Sequence, residues 1–353
     1  MTVPVTAGVA VIDAPAADCV DRVPVWDYVQ RSGLRSLVIG VSTDPNAKLT
    51  VLLFSPQSGL AERVVKAPTS RDAARAVEHE VALLRELRTF ALGELADSIP
   101  SVIDILEFGG RPAAVMSAVG GVPMSTAYMR GRHTASHRRV AADLAAVGTW
   151  LDRFQSITAS GRSIALDMGV GVHGRLRSRF PNEPLDSTLD DLAAIHARLR
   201  EHGVPETAVH GDLWIGNVLC REGRISGVVD WEAAAMRGQP ARDLARFAHI
   251  YALYLDRRTR AGRRVRGHPG LRADGWGAGV RCALDGSGWF PDLFRRFLQD
   301  GLARLGVPRA CWRDVALAAV AEVAALTDDP DFARRNLDLF RSLAARTRPA
   351  RHR

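Results

Sequence analysis

The sequence predicts an α+β protein with two lobes, a small N-terminal lobe built on an antiparallel β-sheet and a larger helical lobe. Short segments rich in β-branched residues, separated by turn residues, fill the first 120 positions. From Gly120 onward the apolar residues recur at helical spacing instead. A chain of 353 residues also suits two lobes better than one. We therefore divide the chain into residues 1–119 and 120–353.

Within the first lobe, turn sequences such as Asp44-Pro45-Asn46 and a Gly-Gly pair separate the strand segments. A helix is predicted over residues 71–89, with Thr69 or Ser70 as its N-cap. The sequence thus favours a five-stranded sheet with one helix inserted after the third strand. The predicted strands cover residues 36–42, 49–55, 61–67, 102–108 and 111–119.

In the second lobe, residues 257–288 are rich in Gly and Arg and have little periodicity, which predicts an irregular insertion. Its first part, 257–272, carries seven Arg and no acidic residue. This Arg block is either a disordered surface loop or a lid over a substrate or phosphate site. The predicted helices cover residues 138–158, 186–202, 241–255 and 290–305, with two more in 312–347 that break at Asp329-Pro330.

The composition narrows the class of protein. The net charge is +8, yet no basic stripe with interleaved aromatic residues accompanies it, so a nucleic-acid partner is not favoured. No apolar run approaches the roughly 20 residues of a membrane span. Scattered cysteines and the absence of a basic N-terminal signal region are typical of a cytoplasmic protein. Of the 47 basic residues only Lys48 and Lys66 are lysines, so a retained lysine is a candidate for a role that arginine cannot fill.

Residues 210–232 contain the polar residues that are candidates for catalysis. His210-Gly211-Asp212 is followed by Asn217, and an apolar segment then ends in Asp230-Trp231-Glu232. The first carboxylate can orient an attacking hydroxyl, while an amide oxygen and the second carboxylate are ligands that Mg²⁺ prefers. Asp, Asn and Gly are also ordinary turn formers. The flanking apolar residues and the room for one hairpin between the two motifs favour the phosphoryl-transfer interpretation.

These motifs resemble the signature of the aminoglycoside phosphotransferase and choline kinase-like enzymes, relatives of the protein kinases. The likeness runs from about residue 35 to 250, with its parts in the same order. It implies a bilobal protein-kinase-like fold with Asp212 as the catalytic residue and Asn217 and Asp230 as magnesium ligands. It also implies that His210 supports the loop and that Asp243 braces it from the next helix.

The same resemblance assigns a role to Lys66 at the end of the third predicted strand. A kinase-like fold places there the lysine that contacts the α and β phosphates. The family pattern implies an ion pair with Glu80 in the following helix, for which Glu78 is a competitor on another face. We prefer Glu80 because it lies beside the inward-facing stripe marked by Val77 and Leu84.

The predicted nucleotide loop departs from the protein kinases, because it lacks their glycine-rich motif. Ser42 or Thr43 and nearby backbone amides are candidates to bind the β phosphate, although an ordinary hairpin turn explains the segment equally well. The resemblance alone implies that the adenine lies on the backbone of Ser117 to Val119, with Met116 at its inner edge.

The leading hypothesis is a small-molecule O-phosphotransferase that uses Mg²⁺ with ATP or GTP and acts on an antibiotic or another natural product. A metabolite kinase for choline, homoserine or a sugar shares these motifs, and a nucleotide-binding pseudokinase scaffold is disfavoured because the motif residues are present. Trp214, Glu232 and Asp256 are candidates for the acceptor side. Because the Arg block is basic, we expect an acceptor that is neutral or carries few positive charges, such as a nucleoside-type or other sugar-bearing natural product, rather than a polycation.

Overall fold

The N-terminal lobe in the computed structural model is a five-stranded antiparallel sheet with the strand order β1-β2-β3-β5-β4. The structure describes residues 22–41, 47–130 and 132–347. The predicted sheet, with its helix after the third strand, is confirmed, whereas the helix α1 was not predicted. The elements are α1 (Val25–Arg31), β1 (Arg35–Val41), β2 (Lys48–Phe54), β3 (Ala61–Pro68), α2 (Arg71–Leu87), β4 (Val102–Phe108) and β5 (Arg111–Ser117).

The two faces of this sheet have different partners. Val51 and Val65 point to one face, where they form a small core with Val25 and Val29 of α1. Because side chains alternate along a strand, Lys66 points to the opposite face, toward α2 and the helical lobe. The apolar side of the amphipathic helix α2 covers that second face. The N-cap of α2 is Ser70, one of the two residues predicted for this role, and its side chain accepts a hydrogen bond from the Ala73 N–H.

The helical lobe follows a short connector. The four predicted helices between residues 138 and 305 begin and end within two residues of the observed ones. The predicted break at Asp329-Pro330 is present, with Asp329 as the N-cap of the last helix, which ends at Ala344, three residues before the predicted end. The elements are β6 (Val122–Pro123), α3 (Met124–Tyr128), α4 (His137–Thr158), β7 (Ser163–Ala165), α5 (Val172–Arg179), α6 (Asp186–Arg200), β8 (Gly203–Pro205), β9 (Thr207–Val209), β10 (Val218–Arg221), β11 (Arg224–Val228), β12 (Ala235–Gly238), α7 (Ala241–Leu253), α8 (Ala278–Asp285), α9 (Trp289–Arg304), α10 (Trp312–Leu326) and α11 (Pro330–Ala344).

The segment 257–288 differs from its prediction. Residues Ala278–Asp285 of this segment form the helix α8, and Val265 and Leu271 are buried in the main core of the lobe. His268 is buried too, and its ring contacts the Thr134 carbonyl at 2.8 Å. The seven arginines of the Arg block are exposed. The block is therefore a surface loop anchored by three buried side chains, rather than a disordered one.

None of the helices in the described part of the chain has the length and apolar character needed to cross a bilayer.

Candidate active site

The loop of residues 210–217, which we call the 210–217 loop, joins β9 to β10 and is held by buried groups. Asp243, in the first turn of α7 and 1% exposed, accepts hydrogen bonds from the backbone N–H groups of His210 at 2.7 Å and Gly211 at 2.8 Å. Gly211 has φ +78°, and a Cβ there would collide with the carbonyl oxygen of Ala233. Only glycine fits such a position without strain. Asp243 thus contacts the loop as the family resemblance implies.

The His210 imidazole also holds this loop in place, through hydrogen bonds to two backbone groups. Its Nε2 donates to the Val229 carbonyl at 3.0 Å, and its Nδ1 accepts from the Asp212 N–H at 3.3 Å. This pair of bonds requires the neutral tautomer with the proton on Nε2. The ring also packs against the buried Trp231, with centroids 4.7 Å apart. His210 therefore connects the 210–217 loop with the end of β11.

Both carboxylate oxygens of Asp212 have partners. The Asn217 amide Nδ2 donates to the Asp212 backbone carbonyl at 3.0 Å and to its Oδ2 at 3.3 Å. The Arg246 guanidinium forms an ion pair with Oδ1. Arg246 lies three residues after Asp243 and hence on the same face of α7. Sequence reasoning missed Arg246, although this spacing is a signal that could have identified it.

Asn217 and Asp230 lie together at the open end of the β10–β11 hairpin. Val218 is opposite Val228 in the register, and the Val229 N–H donates to the Asn217 carbonyl at 2.9 Å. Asp230 has φ +69°, a conformation that costs a residue other than glycine about 1 kcal/mol or more. Because the Asn217 Nδ2 donates to Asp212, the Asn217 Oδ1 is the side-chain atom that could ligate a cation together with the Asp230 carboxylate. These oxygen donors fit magnesium.

Lys66 connects the two lobes across the cleft. Its Nζ donates to both Glu80 oxygens at 2.7 Å and to the Asp230 Oδ1 at 3.1 Å. Burial alone would lower the pKa of the ammonium, but Glu80 and Asp230 together hold that pKa above its usual value. Conversely, burial would raise the pKa of Asp230, and Lys66 and Lys48 hold it below the usual range. The ion pair implied for Lys66 and Glu80 is present, whereas the competitor Glu78 is exposed.

On the nucleotide side, the candidates Ser42 and Thr43 lie outside the described residues. Met116 is buried in β5, against the core that α2 completes. The Ser117 N–H donates to the Ser101 carbonyl at 2.8 Å. The next residue, Ala118, donates to the Glu62 carbonyl at 2.9 Å. Within the segment Ser117 to Val119, where the adenine was expected, these contacts use the N–H groups of Ser117 and Ala118 and leave that of Val119 as the candidate donor.

The three acceptor-side candidates occupy different surroundings. Glu232 forms an ion pair with Lys48 of β2, so it faces the sheet. Trp214 lies edge-on to Tyr254 at the end of α7, with ring centroids 6.5 Å apart, and the Arg257 guanidinium covers the Tyr254 ring at 4.8 Å. Asp256 is half-buried, and this burial raises the pKa of its carboxyl. Of the three candidates, Trp214 lies in the 210–217 loop itself, two residues after Asp212.

The sequence matches the model of the phosphotransferase enzyme family over residues 49–277, more than half of the chain. The chain belongs to this family. The matched span includes Lys66, the 210–217 loop, Asp230 and α7. No curated protein matches the sequence closely enough to be reported as a relative. The family, together with the site, makes this chain a kinase-type phosphotransferase that acts on a hydroxyl group of a small molecule.

Solved structures with the same fold confirm the kinase-like α+β architecture of this phosphotransferase. A thermostable mutant of aminoglycoside phosphotransferase APH(4)-Ia superposes with a TM-score of 0.57 at 15% identity, covering 92% of this chain and 99% of that one. The streptomycin–ATP ternary complex of APH(2″)-IIa gives 0.52 at 15% identity, with 90% and 95% covered. ADP-bound APH(2″)-Ib gives 0.50 at 16% identity, with 90% and 96% covered.

Proposed function

We propose that this phosphotransferase moves the γ-phosphoryl group of magnesium-bound ATP, or GTP, to a hydroxyl of an antibiotic or another natural product. The observation that carries the proposal is the position of the Lys66 ammonium, bonded to Glu80 on one side of the cleft and to Asp230 on the other. The division at residue 120 then separates a nucleotide-binding lobe from a catalytic and acceptor-binding lobe.

Each residue of the site has a part in this proposal. Lys66 contacts the phosphates, and the Val119 N–H donates to the adenine edge. Asp212 orients the acceptor hydroxyl and accepts its proton, since its carboxylate is fixed by Asn217 and Arg246. Asn217 and Asp230 would hold the magnesium ion, which neutralises charge on the phosphates when it is bound.

We further propose an acceptor that carries few positive charges, such as a nucleoside-type or other sugar-bearing compound. The Arg246 guanidinium lies against the carboxylate that meets the acceptor hydroxyl, so an ammonium group brought to the same place would be repelled. Arg257 covers the nearby Tyr254 ring, which adds a second cation on this side. The Trp214–Tyr254 pair offers an aromatic surface for a flat base or ring.

The test is nucleotide consumption by the purified protein with panels of hydroxylated acceptors, each with ATP and with GTP. We expect a higher kcat/KM with nucleoside antibiotics than with kanamycin-like polycations. The Asp212→Asn variant serves as the control for acceptor-independent hydrolysis and contaminating enzymes.

Each other outcome has a defined meaning. A preference for polycations would refute the acceptor assignment alone. A preference for choline, homoserine or a simple sugar would instead identify a metabolite kinase. Nucleotide binding without transfer to any acceptor would support a scaffold and contradict the proposed reaction.

A further inference from the structure

Both lysines of this arginine-rich chain lie in the same cleft. Only two of the 47 basic residues are lysines. Lys66 bonds to Glu80 and Asp230, and Lys48 forms an ion pair with Glu232, two residues after Asp230. An exposed cation can be either arginine or lysine, so two lysines kept at one site indicate a requirement for the compact ammonium at both positions.

The sheet places the two lysine side chains on one face. Lys48 is paired with Pro68, and Thr50 is paired with Lys66, in the antiparallel register of β2 and β3. Residues opposite each other in such a register share a face, as do residues two apart on a strand. Lys48 and Lys66 therefore both point from the sheet into the cleft, because Lys48 lies two residues before Thr50, the residue opposite Lys66.

Lys48 is the first residue of β2, and it follows the segment between β1 and β2 for which phosphate contacts were expected from the sequence and of which residues 42–46 lie outside the described residues. Its side chain is 11% exposed and reaches Glu232 in the helical lobe. Without a cation, Glu232 and Asp230 would place two carboxylates next to the phosphates of a nucleotide, which would repel it. The ion pair offsets this repulsion while the cleft is empty.

We propose that Lys48 is a second phosphate-binding lysine and that the nucleotide phosphates take the place of Glu232 as its partner. This inference rests on the proposed function, because it requires a nucleoside triphosphate in the cleft. Lys66 then contacts the phosphates nearer to α2, and Lys48 contacts them from the beginning of β2. An arginine at either position would present a wide planar fork where a small charge has to fit between phosphate oxygens and a metal ion.

The experiment compares the binding of ATP, ADP and adenosine by calorimetry, without acceptor, to the wild type and to Lys48→Met, Lys48→Arg and Glu232→Gln. Arg35→Met is the matched control, since it removes an exposed cation from the other end of the same β1–β2 pair. Loss of a charged hydrogen bond to phosphate predicts that Lys48→Met weakens ATP and ADP binding about tenfold or more and leaves adenosine within about twofold. Lys48→Arg is expected to lose part of the affinity, and Glu232→Gln and Arg35→Met to lose none.

Two results would overturn the inference. One is unchanged ATP affinity in a folded Lys48→Met protein. The other is an equal loss in Lys48→Met and Glu232→Gln that extends to adenosine, because the ion pair would then only hold the lobes together. Thermal unfolding of each variant checks that it is folded. If Lys48→Met does not fold, the ATP affinity of Lys48→Arg is used for the test instead. A wild type that binds ATP no better than adenosine would instead refute the proposed function.

Discussion

Replacing Lys66 separates its contribution to stability from its contribution to catalysis. The Glu80 side chain is 1% exposed, and its partners are the Lys66 ammonium and the Trp231 N–H at 3.1 Å. Lys66→Met keeps the length of the side chain but removes the cation, so the buried Glu80 carboxylate retains only one neutral donor. The double variant Lys66→Met with Glu80→Gln removes both charges and keeps an oxygen that can accept from Trp231.

The magnitude follows from the burial of the pair. Breaking a buried ion pair by removing one partner costs about 3–5 kcal/mol, whereas replacing both charges by groups of similar volume is close to neutral. Lys66 is 12% exposed and its second partner Asp230 is 39% exposed, so solvent screens part of the effect. We therefore expect Lys66→Met to lower the free energy of unfolding by about 3 kcal/mol, at the lower end of that range. The double variant should recover most of this loss, to within about 1 kcal/mol of the wild type.

The assay is urea unfolding of the wild type, both single variants and the double variant, followed by circular dichroism, with phosphoryl transfer measured on the same samples. The four unfolding free energies give the interaction energy of the pair. Turnover should be lost in Lys66→Met and stay lost in the double variant, because neither has an ammonium for the phosphates. A Lys66→Met protein as stable as the wild type would refute the assignment of a buried pair. An active double variant would refute the role of Lys66 in phosphate binding.

Three further predictions use single substitutions. Asp212→Asn should keep nucleotide affinity and reduce turnover by about 10²-fold or more, the effect of a lost general base, and unchanged turnover would remove Asp212 from the mechanism. Asp230→Ala should abolish the increase in nucleotide affinity that magnesium causes, which calorimetry with and without the metal can measure. The third prediction concerns His249. Its pKa is lowered to about 4 by burial, although its hydrogen bond to Asn336 opposes this shift. Because the unfolded chain takes up a proton at His249 below about pH 6.5 and the folded chain does not, stability should fall as the pH drops from 6.5 toward 4, by about 1 kcal/mol at pH 5.5. The variant His249→Gln, which keeps a donor for Asn336, should reduce this pH dependence of stability. If the midpoint of urea unfolding changes with pH by the same amount in this variant and in the wild type, His249 is not the residue responsible.

Local sequence patterns were sufficient to predict the long helices and strands. The meander of β1 to β3 was predicted from turn residues, and α4, α7 and α9 from their apolar periodicity, each within about two residues. Short elements lacked such a signal. The seven-residue helix α1 and the eight-residue helix α8 span about two turns each, too few for a periodic stripe to be recognised. Gly277 and Gly286, which flank α8, made its segment resemble a loop.

The site could be predicted where a motif or a helical face specified the residue, and not where the contact depends on the fold. Glu80 was preferred over Glu78 by its face on α2, and the structure places it against Lys66. Arg246 is one of 45 arginines, and its pairing with Asp212 requires α7 to pack beside the 210–217 loop. The pairing of Lys48 with Glu232 joins residues 184 positions apart across two lobes, so no local pattern could indicate it.

The two halves of the site depend on different parts of the structure. On the side where we propose that the nucleotide binds, Lys66 and Lys48 form ion pairs that run between the lobes, so we expect substitutions there to change how the lobes meet. The proposed acceptor side instead depends on α7, where Asp243 holds the backbone of the 210–217 loop and Arg246 holds the Asp212 carboxylate. The same helix ends at Tyr254, against Trp214 of the loop. Because α7 is itself buried against α9 and α10, the helical lobe holds Asp243 and Arg246 in place. The residues proposed to bind the nucleotide phosphates and those proposed to bind the acceptor therefore depend mainly on different elements of this chain, the sheet with its ion pairs and the helix α7.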